Sequence, residues 1–204
     1  MITTYATLKS AISDWLHKGS QYDSDIPNFV QLAEADILSN LRLRIMETRA
    51  DLTLNTTSRY TTLPADFLEM RRIHIETNPI GRLDFRASDQ LMESYSVAAG
   101  KPAYYTIIGS EIEFNRIPDQ AYVAKITYYK KLVALSDAAP SNTMLTTYPN
   151  VYLYACLLAA QPFTEYDDRI LVWKGLYDKA VSDAMGSDKR SRFGAAPLSM
   201  GAAP

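Results

Sequence analysis

The sequence predicts an α+β fold: a helical bundle made from the N- and C-terminal helices, an antiparallel β domain inserted between them, and a flexible C-terminal tail. Three observations carry this. Apolar residues recur at spacings of three and four near both ends, the spacing drops to two between Thr48 and Lys131, and the final residues lose all patterning. The boundaries fall at 1–47 for the first helices, 48–135 for the β insertion, 136–186 for a loop and the last helices, and 187–204 for the tail.

Tyr5, Leu8, Ile12 and Trp15 write the first helix, and Lys18-Gly19 supplies a C-terminal cation and a left-handed stop. In the second helix Asp25 stands at the cap position and Pro27 in the first turn. Phe29, Val30, Ala33, Ile37, Leu38 and Leu41 form its apolar stripe, Gln31, Glu34, Ser39 and Arg42 fall opposite, and it runs to about Arg44.

Leu52 and Leu54 then share one strand face, with Asp51, Thr53 and Asn55 on the other, ahead of a turn over 55–58. The next strand stops at Leu63, because Pro64 removes a ladder donor and biases Leu63 toward extended backbone. Asp66 is placed to cap the turn, and Phe67, Leu68 and Ile73 pin the corner to a core. Leu63, Pro64, Asp66 and Phe67 thus define the fold, as a hinge between bundle and insertion. Strands near 71–76 and 83–85 continue as a meander, with a brief helix over 88–95. Residues 104–108 and 111–115 make a hairpin in which Gly109 suits the first position of a type II′ loop. Residues 121–131 pair as a third strand of that meander, and Tyr128-Tyr129 puts one ring on each face.

Residues 136–147 are small and polar and contain Pro140, so they read as a long connection of the kind that often carries function. Pro149 opens a helix through Ala160 that is apolar nearly all round and so is enclosed by other helices. The last helix, from about 167 to 185, places Ile170, Trp173, Tyr177, Ala180, Val181 and Ala184 on one stripe and stops at Gly186.

Composition excludes several functions. The 204 residues, 47% hydrophobic, suffice for a sizeable core. A formal charge of -2 argues against a dedicated nucleic-acid binder that works by counterion release. The single cysteine, Cys156, excludes an intramolecular disulfide and suits a reducing cytoplasm. No basic-then-apolar leader opens the sequence and Pro162 interrupts the longest apolar run, so the chain is expected to be neither secreted nor membrane-spanning.

Candidate chemistry is sparse. His17 sits near a helix C-terminus, where an imidazolium complements the dipole, and His74 faces out of a sheet beside Arg72 and Glu76. Neither is accompanied by a nucleophile elbow, an HExxH helix or a cysteine cluster. Glu165, Asp167 and Asp168 could pair as carboxylates or ligate a hard cation, but in a first helical turn they serve as caps. The eight glycines build no phosphate loop. An enzyme using Asp167, Asp168 and His74 is therefore the weakest reading, and no catalytic residue, metal ligand or cofactor is assigned.

The basic pairs Arg42 with Arg44, Arg71 with Arg72, and Lys130 with Lys131 read as solvated faces. The tyrosines Tyr104, Tyr105, Tyr122, Tyr128 and Tyr129 fit either of two uses. With Arg71-Arg72 they could stack bases in a small nucleic-acid-binding module, or they could serve a core and a protein interface; the acidic balance favours the second. The tail cannot bury enough to fold alone: it is disordered slack, or it orders on a partner.

Tyr5, Leu8, Ile12 and Trp15-Leu16, the run Phe29-Val30-Gln31-Leu32-Ala33-Glu34 leading to Leu41-Arg42, and the corner Leu63-Pro64-Ala65-Asp66-Phe67-Leu68-Glu69 resemble the head-to-tail adaptor (connector or neck) proteins of tailed bacteriophages. Pro102-Ala103-Tyr104-Tyr105-Thr106-Ile107, Ile126-Thr127-Tyr128-Tyr129, Leu135-Ser136, the stretch from Asn142 to Leu145 and Tyr152-Leu153-Tyr154 follow in the same order, so the resemblance runs over residues 5–177. It implies a structural virion protein without enzymatic activity, assembled in the host cytoplasm and placed at the virion neck. Copies would form a ring, commonly a dodecamer, beneath the portal protein and bridge it to the tail or next neck protein. The bundles would pack side by side and the β domain would face the next component. DNA would be passing cargo in the channel, and no membrane is involved. A terminal extension would dock on the portal, which gives Arg190, Arg192, Phe193, Leu198 and Met200 a use.

Overall fold

The computed structural model describes residues 1–17, 19–164 and 169–193. In chain order these form helices α1 (Tyr5–Leu16) and α2 (Ile26–Asn40), then strands β1 (Glu47–Thr53), β2 (Tyr60–Thr62), β3 (Phe67–Ile75), β4 (Gly81–Arg82) and β5 (Asp84–Phe85). Helix α3 (Ser88–Glu93) precedes strands β6 (Tyr104–Ile108), β7 (Glu111–Phe114) and β8 (Val123–Lys130), and helices α4 (Thr143–Thr147), α5 (Pro149–Ala159) and α6 (Ile170–Phe193) follow. The mixture of helices with antiparallel and mixed sheets is α+β. The chain divides into a helical unit, Met1–Ile45 with Leu132–Pro204, and a sheet unit, Met46–Lys131.

In the helical unit Thr4 caps α1 reciprocally: its hydroxyl accepts from the Thr7 amide at 3.3 Å, and its own amide donates to the Thr7 hydroxyl at 3.0 Å. The buried stripe is Tyr5, Leu8, Ile12 and Leu16; Trp15, expected there, is 39% exposed and packs edge-on against Tyr154. The left-handed stop is His17, with φ 53°, rather than Gly19; Lys18 lies outside the described residues. Helix α2 ends at Asn40, short of Arg44, because Leu41 is already extended. The Arg42 guanidinium then donates to the Leu38 and Leu41 carbonyls at 2.6 and 2.8 Å, satisfying groups that the helix end leaves open. Asp25 occupies the cap position without a side-chain cap bond.

Helix α5 is the centre of this unit, packing against α1, α2 and α6. Val151, Tyr152, Leu153, Ala155, Cys156 and Leu157 are all buried on it, as an all-round apolar helix requires, and burial pushes the Cys156 thiol up. Residues 136–147 are not all loop. Asn142 caps the short α4 by accepting from the Leu145 amide at 2.9 Å, and Met144 and Leu145 enter the core.

One core group runs against the helical pattern. Glu34, expected on the polar side of α2, is buried among the apolar residues. Its Oε1 accepts from the Leu135 amide at 2.9 Å and from the Tyr152 hydroxyl at 3.2 Å. Asn142 Nδ2 donates to that same hydroxyl at 2.7 Å and to the Val133 carbonyl at 2.9 Å. Burial raises the Glu34 carboxyl above the ordinary carboxylate range, outweighing the opposing effect of its two donors.

The last helix also departs from expectation. It passes through Gly186 and continues to Phe193. Glycine inside a helix costs about 1 kcal/mol and is not by itself a stop. Asp188 holds the extra turns: Oδ1 accepts from the Arg44 amide at 2.6 Å and Oδ2 pairs with Arg192 Nε at 2.7 Å. Residues 187–193 therefore belong to the helix rather than to a tail.

The sheet unit is not a meander. Its strands form two four-stranded sheets, β1-β8-β3-β4 and β2-β7-β6-β5. Strand β8, expected beside β6 and β7, lies instead between β1 and β3, antiparallel to both. The β5–β6 pair is parallel, the one exception to the expected antiparallel pairing. Leu52, Ile73, Ile75, Ala124, Ile126 and Tyr128 from the first sheet share a core with Tyr105, Ile112 and Phe114 from the second and with Leu83, which links β4 to β5. The β6–β7 hairpin turns at Gly109-Ser110 with Gly109 at φ 61°, the positive φ that its loop position demands. On the outer face of the second sheet, Leu91 of α3 is buried, Arg86 stacks 3.7 Å over the Tyr104 ring, and the Tyr95 hydroxyl donates to Glu113.

The Glu34 network yields a pH-dependent prediction. Because its folded pKa is raised, Glu34 contributes stability that is complete below its ordinary value of 4.5 and lost as pH rises through the folded value. Glu34→Gln keeps an acceptor without the charge, so its melting temperature relative to the parent is expected to rise from pH 4.5 to pH 8; a pH-independent difference contradicts the assignment. Glu34→Ala leaves the Leu135 amide unpaired and is expected to cost about 1–3 kcal/mol in urea denaturation.

Candidate functional site

The corner lies wholly within the sheet unit and carries the chain from the second sheet, at β2, to the first, at β3. It is a sheet-to-sheet joint, not a hinge between bundle and insertion. The Leu63 amide donates to the Ser110 carbonyl at 2.9 Å, tying one side to the hairpin, and the Phe67 amide donates to the Pro64 carbonyl at 2.9 Å, closing the turn. Asp66 does not cap. Its Oδ1 accepts from the Tyr128 hydroxyl at 2.8 Å, and its carbonyl accepts from the Lys131 amide at 2.7 Å. Phe67 stacks on the Tyr128 ring at 5.5 Å. Burial first, and then the Asp66 carboxylate, holds the Tyr128 hydroxyl up to about 12.

Among the described residues the remaining candidates do not assemble into a chemical site. His17 is the left-handed residue that ends α1, and His74 projects from β3 of the sheet unit. Glu165, Asp167 and Asp168 lie outside the described residues. Among the described residues no three metal-ligating side chains cluster, and no helix is long and apolar enough to cross a membrane. Tyr105, Tyr122, Tyr128 and Tyr129 are buried, which removes four rings of the supposed stacking platform from solvent. Arg190 is exposed on α6, whereas Arg192 is largely buried in its pair with Asp188. Phe193 is the last helical residue, and Leu198 and Met200 lie outside the described residues.

What the structure does offer is worked surface. The register shift between Met70 and Arg72 inserts an extra residue into β3, so Arg71 joins Arg72 and His74 on the open face of the first sheet. Arg71 there donates to the Tyr129 hydroxyl at 2.9 Å and pairs with Glu47 at 3.1 Å. One rung lower, Arg49 and Arg72 flank Thr127; on the next, Asp51, Lys125 and His74 align, and Lys125 bridges Asp51 and Glu76 at 2.7 and 3.2 Å. A groove of about 480 Å³ crosses this face, and a second of about 410 Å³ shares Arg72 and His74 with it and adds Ile80, Arg82 and Phe85. In the helical unit a groove of about 450 Å³ runs between Leu32 of α2, Leu158 of α5 and Tyr177 of α6, whose hydroxyl donates to Asp36 at 2.5 Å.

Surfaces of this kind suit assembly, and a family comparison gives the chain its family. The family described as SU10 adaptor protein matches residues 3–201. The chain belongs to the SU10 adaptor protein family. It is thus a structural adaptor of a phage particle, in agreement with the resemblance to head-to-tail adaptors. No curated protein matches the chain. The SU10 adaptor match covers the corner, both units and all of α6, reaching beyond the residues 5–177 that carried the resemblance.

In this SU10 adaptor the corner bond is testable. Asp66→Ala leaves the buried Tyr128 hydroxyl without its acceptor and is expected to cost about 1–3 kcal/mol in urea denaturation. Adding Tyr128→Phe should recover part of that loss, since both partners are then gone; an additive double variant contradicts the pairing.

Proposed function

We propose that the chain is a head-to-tail adaptor whose copies form a ring, expected to be a dodecamer, joining the portal protein to the tail or next neck component and lining part of the DNA ejection channel. The observation that carries this reading is the family match over residues 3–201, which runs through both units. The physics agrees with it. A formal charge of -2 leaves little net attraction for a passing phosphate backbone, and wide polar grooves on exposed faces are what lateral and axial contacts require. The burial of Tyr105, Tyr122, Tyr128 and Tyr129 counts against the rival reading as a base-stacking module.

In this reading helices from the two ends of the chain, within 1–47 and 136–186, form the bundle, and residues 48–135 are the insertion. The protein assembles in the host cytoplasm and resides at the virion neck without catalytic activity. The segment at and beyond the end of α6 reaches the portal, with Arg190, Arg192, Phe193, Leu198 and Met200 as candidate anchors; Arg192 also serves the helix through Asp188.

Electron microscopy of the purified protein with its portal is expected to show closed rings seated on the portal; no ring under any condition, with or without portal, overturns the reading. Truncation after Phe193 keeps the whole of α6, and the expected outcome is weaker portal attachment with melting unchanged. Unchanged attachment removes the tail from the account.

A further inference from the structure

We propose that neighbouring copies in the ring meet through the sheet unit: the open face of the first sheet, at Arg49, Arg72 and His74, receives helix α3 of the next copy, at Asp89, Met92 and Glu93. This rests on the ring reading and names one of its lateral contacts.

The two surfaces are unfinished in complementary ways. On the open face Lys125 is matched by Asp51 and Glu76, and Arg71 by Glu47. Arg49 and Arg72, flanking Thr127 on a single rung, have no ion pair or hydrogen bond among the described residues. His74 stands on the next rung, beside Lys125, and lines the same face. Two grooves converge on Arg72 and His74, so there is room for an incoming element. The second groove also presents apolar Ile80 and Phe85, 66% and 62% exposed.

Helix α3 is the counterpart. Leu91 points into the unit and is fully buried, which turns Met92 outward at 59% exposure. Asp89 and Glu93 are four apart and therefore share one face, and neither has an ion pair or hydrogen bond among the described residues. An apolar residue between two free carboxylates matches a groove with two free guanidiniums and apolar walls.

Placement within the unit supports a contact between copies. The order of layers is open face, first sheet, shared core, second sheet, α3, so the basic and acidic surfaces lie on opposite sides. Different surfaces on opposite sides of one body are what a head-to-tail, ring-closing interface uses. A nucleic acid is a poorer occupant, because the open face carries Glu47, Asp51, Glu69 and Glu76 among its cations and would repel a phosphate backbone along most of its length.

Two charge-reversed full-length chains test this. Arg49→Glu with Arg72→Glu makes both surfaces acidic, and Asp89→Lys with Glu93→Lys makes both basic. All four positions are exposed, so both variants should melt as the parent does. Each alone is expected to assemble at least tenfold more weakly on the portal by electron microscopy, and an equimolar mixture to restore rings of alternating chains. The inference is overturned if either variant alone assembles like the parent, or if the mixture does not recover. Loss of salt-sensitive DNA retention in the first variant, without recovery on mixing, would make the open face a nucleic-acid contact and also overturn it. If the parent forms no ring at all, the ring reading falls and this contact with it.

Discussion

A buried carboxylate closes the helical unit. That unit is assembled from two stretches of chain, Met1–Ile45 and Leu132–Pro204, and Glu34 of the first holds Leu135 and Tyr152 of the second. Apolar packing between α2 and α5 supplies most of the attraction, but it is non-directional; the bonds from Leu135, Tyr152 and Asn142 choose one arrangement of the returning segment. Because Glu34 has no other hydrogen-bond partner among the described residues, loss of either donor leaves charge density buried and under-satisfied. Asn142 extends the arrangement by capping α4, which is why residues 143–147 fold rather than loop.

The sheet unit solves an analogous problem by different means. Its two sheets share a core, and the chain crosses from one to the other at Leu63–Phe67. Pro64 ends the ladder, and Asp66 anchors the new direction on Tyr128 of the central strand. The bulge at Arg71 then spends the next step of β3 on re-aiming side chains, placing Arg71 and Arg72 together on the open face. Shape and surface charge thus come from the same few residues, and in a structural adaptor shape and surface charge are the working parts.

Local features were legible in the sequence, and non-local ones were not. The stripe of α2, the enclosure of α5, the Gly109 hairpin and the break at Pro64 are each written within a few neighbouring residues, and each is found. Helical periodicity puts Glu34 on the polar side because its donors lie 101 and 118 residues away, beyond what local spacing encodes. A hint existed in its position one residue after Ala33 on an otherwise apolar turn. The meander failed for a similar reason: β8 alternates well, but alternation does not say which strands it joins. Gly186 reads as a stop until Asp188 is seen to bond the Arg44 amide. As for the site, the break at Pro64 is local but the two sheets it joins are not, and the pairing of Arg49 with Arg72 across Thr127 depends on register that no single strand reveals.

Everything functional in this account lies on outer surfaces, and the interior residues serve geometry. The central proposal is therefore one of place: this SU10-family adaptor is proposed to occupy the particle neck in many symmetric copies. A cryo-electron microscopy reconstruction of the intact particle tests it most directly. The account predicts density for both units of this chain, repeated around the channel between portal and tail; a neck fully explained by other chains, with this one elsewhere in the particle or absent, would contradict it.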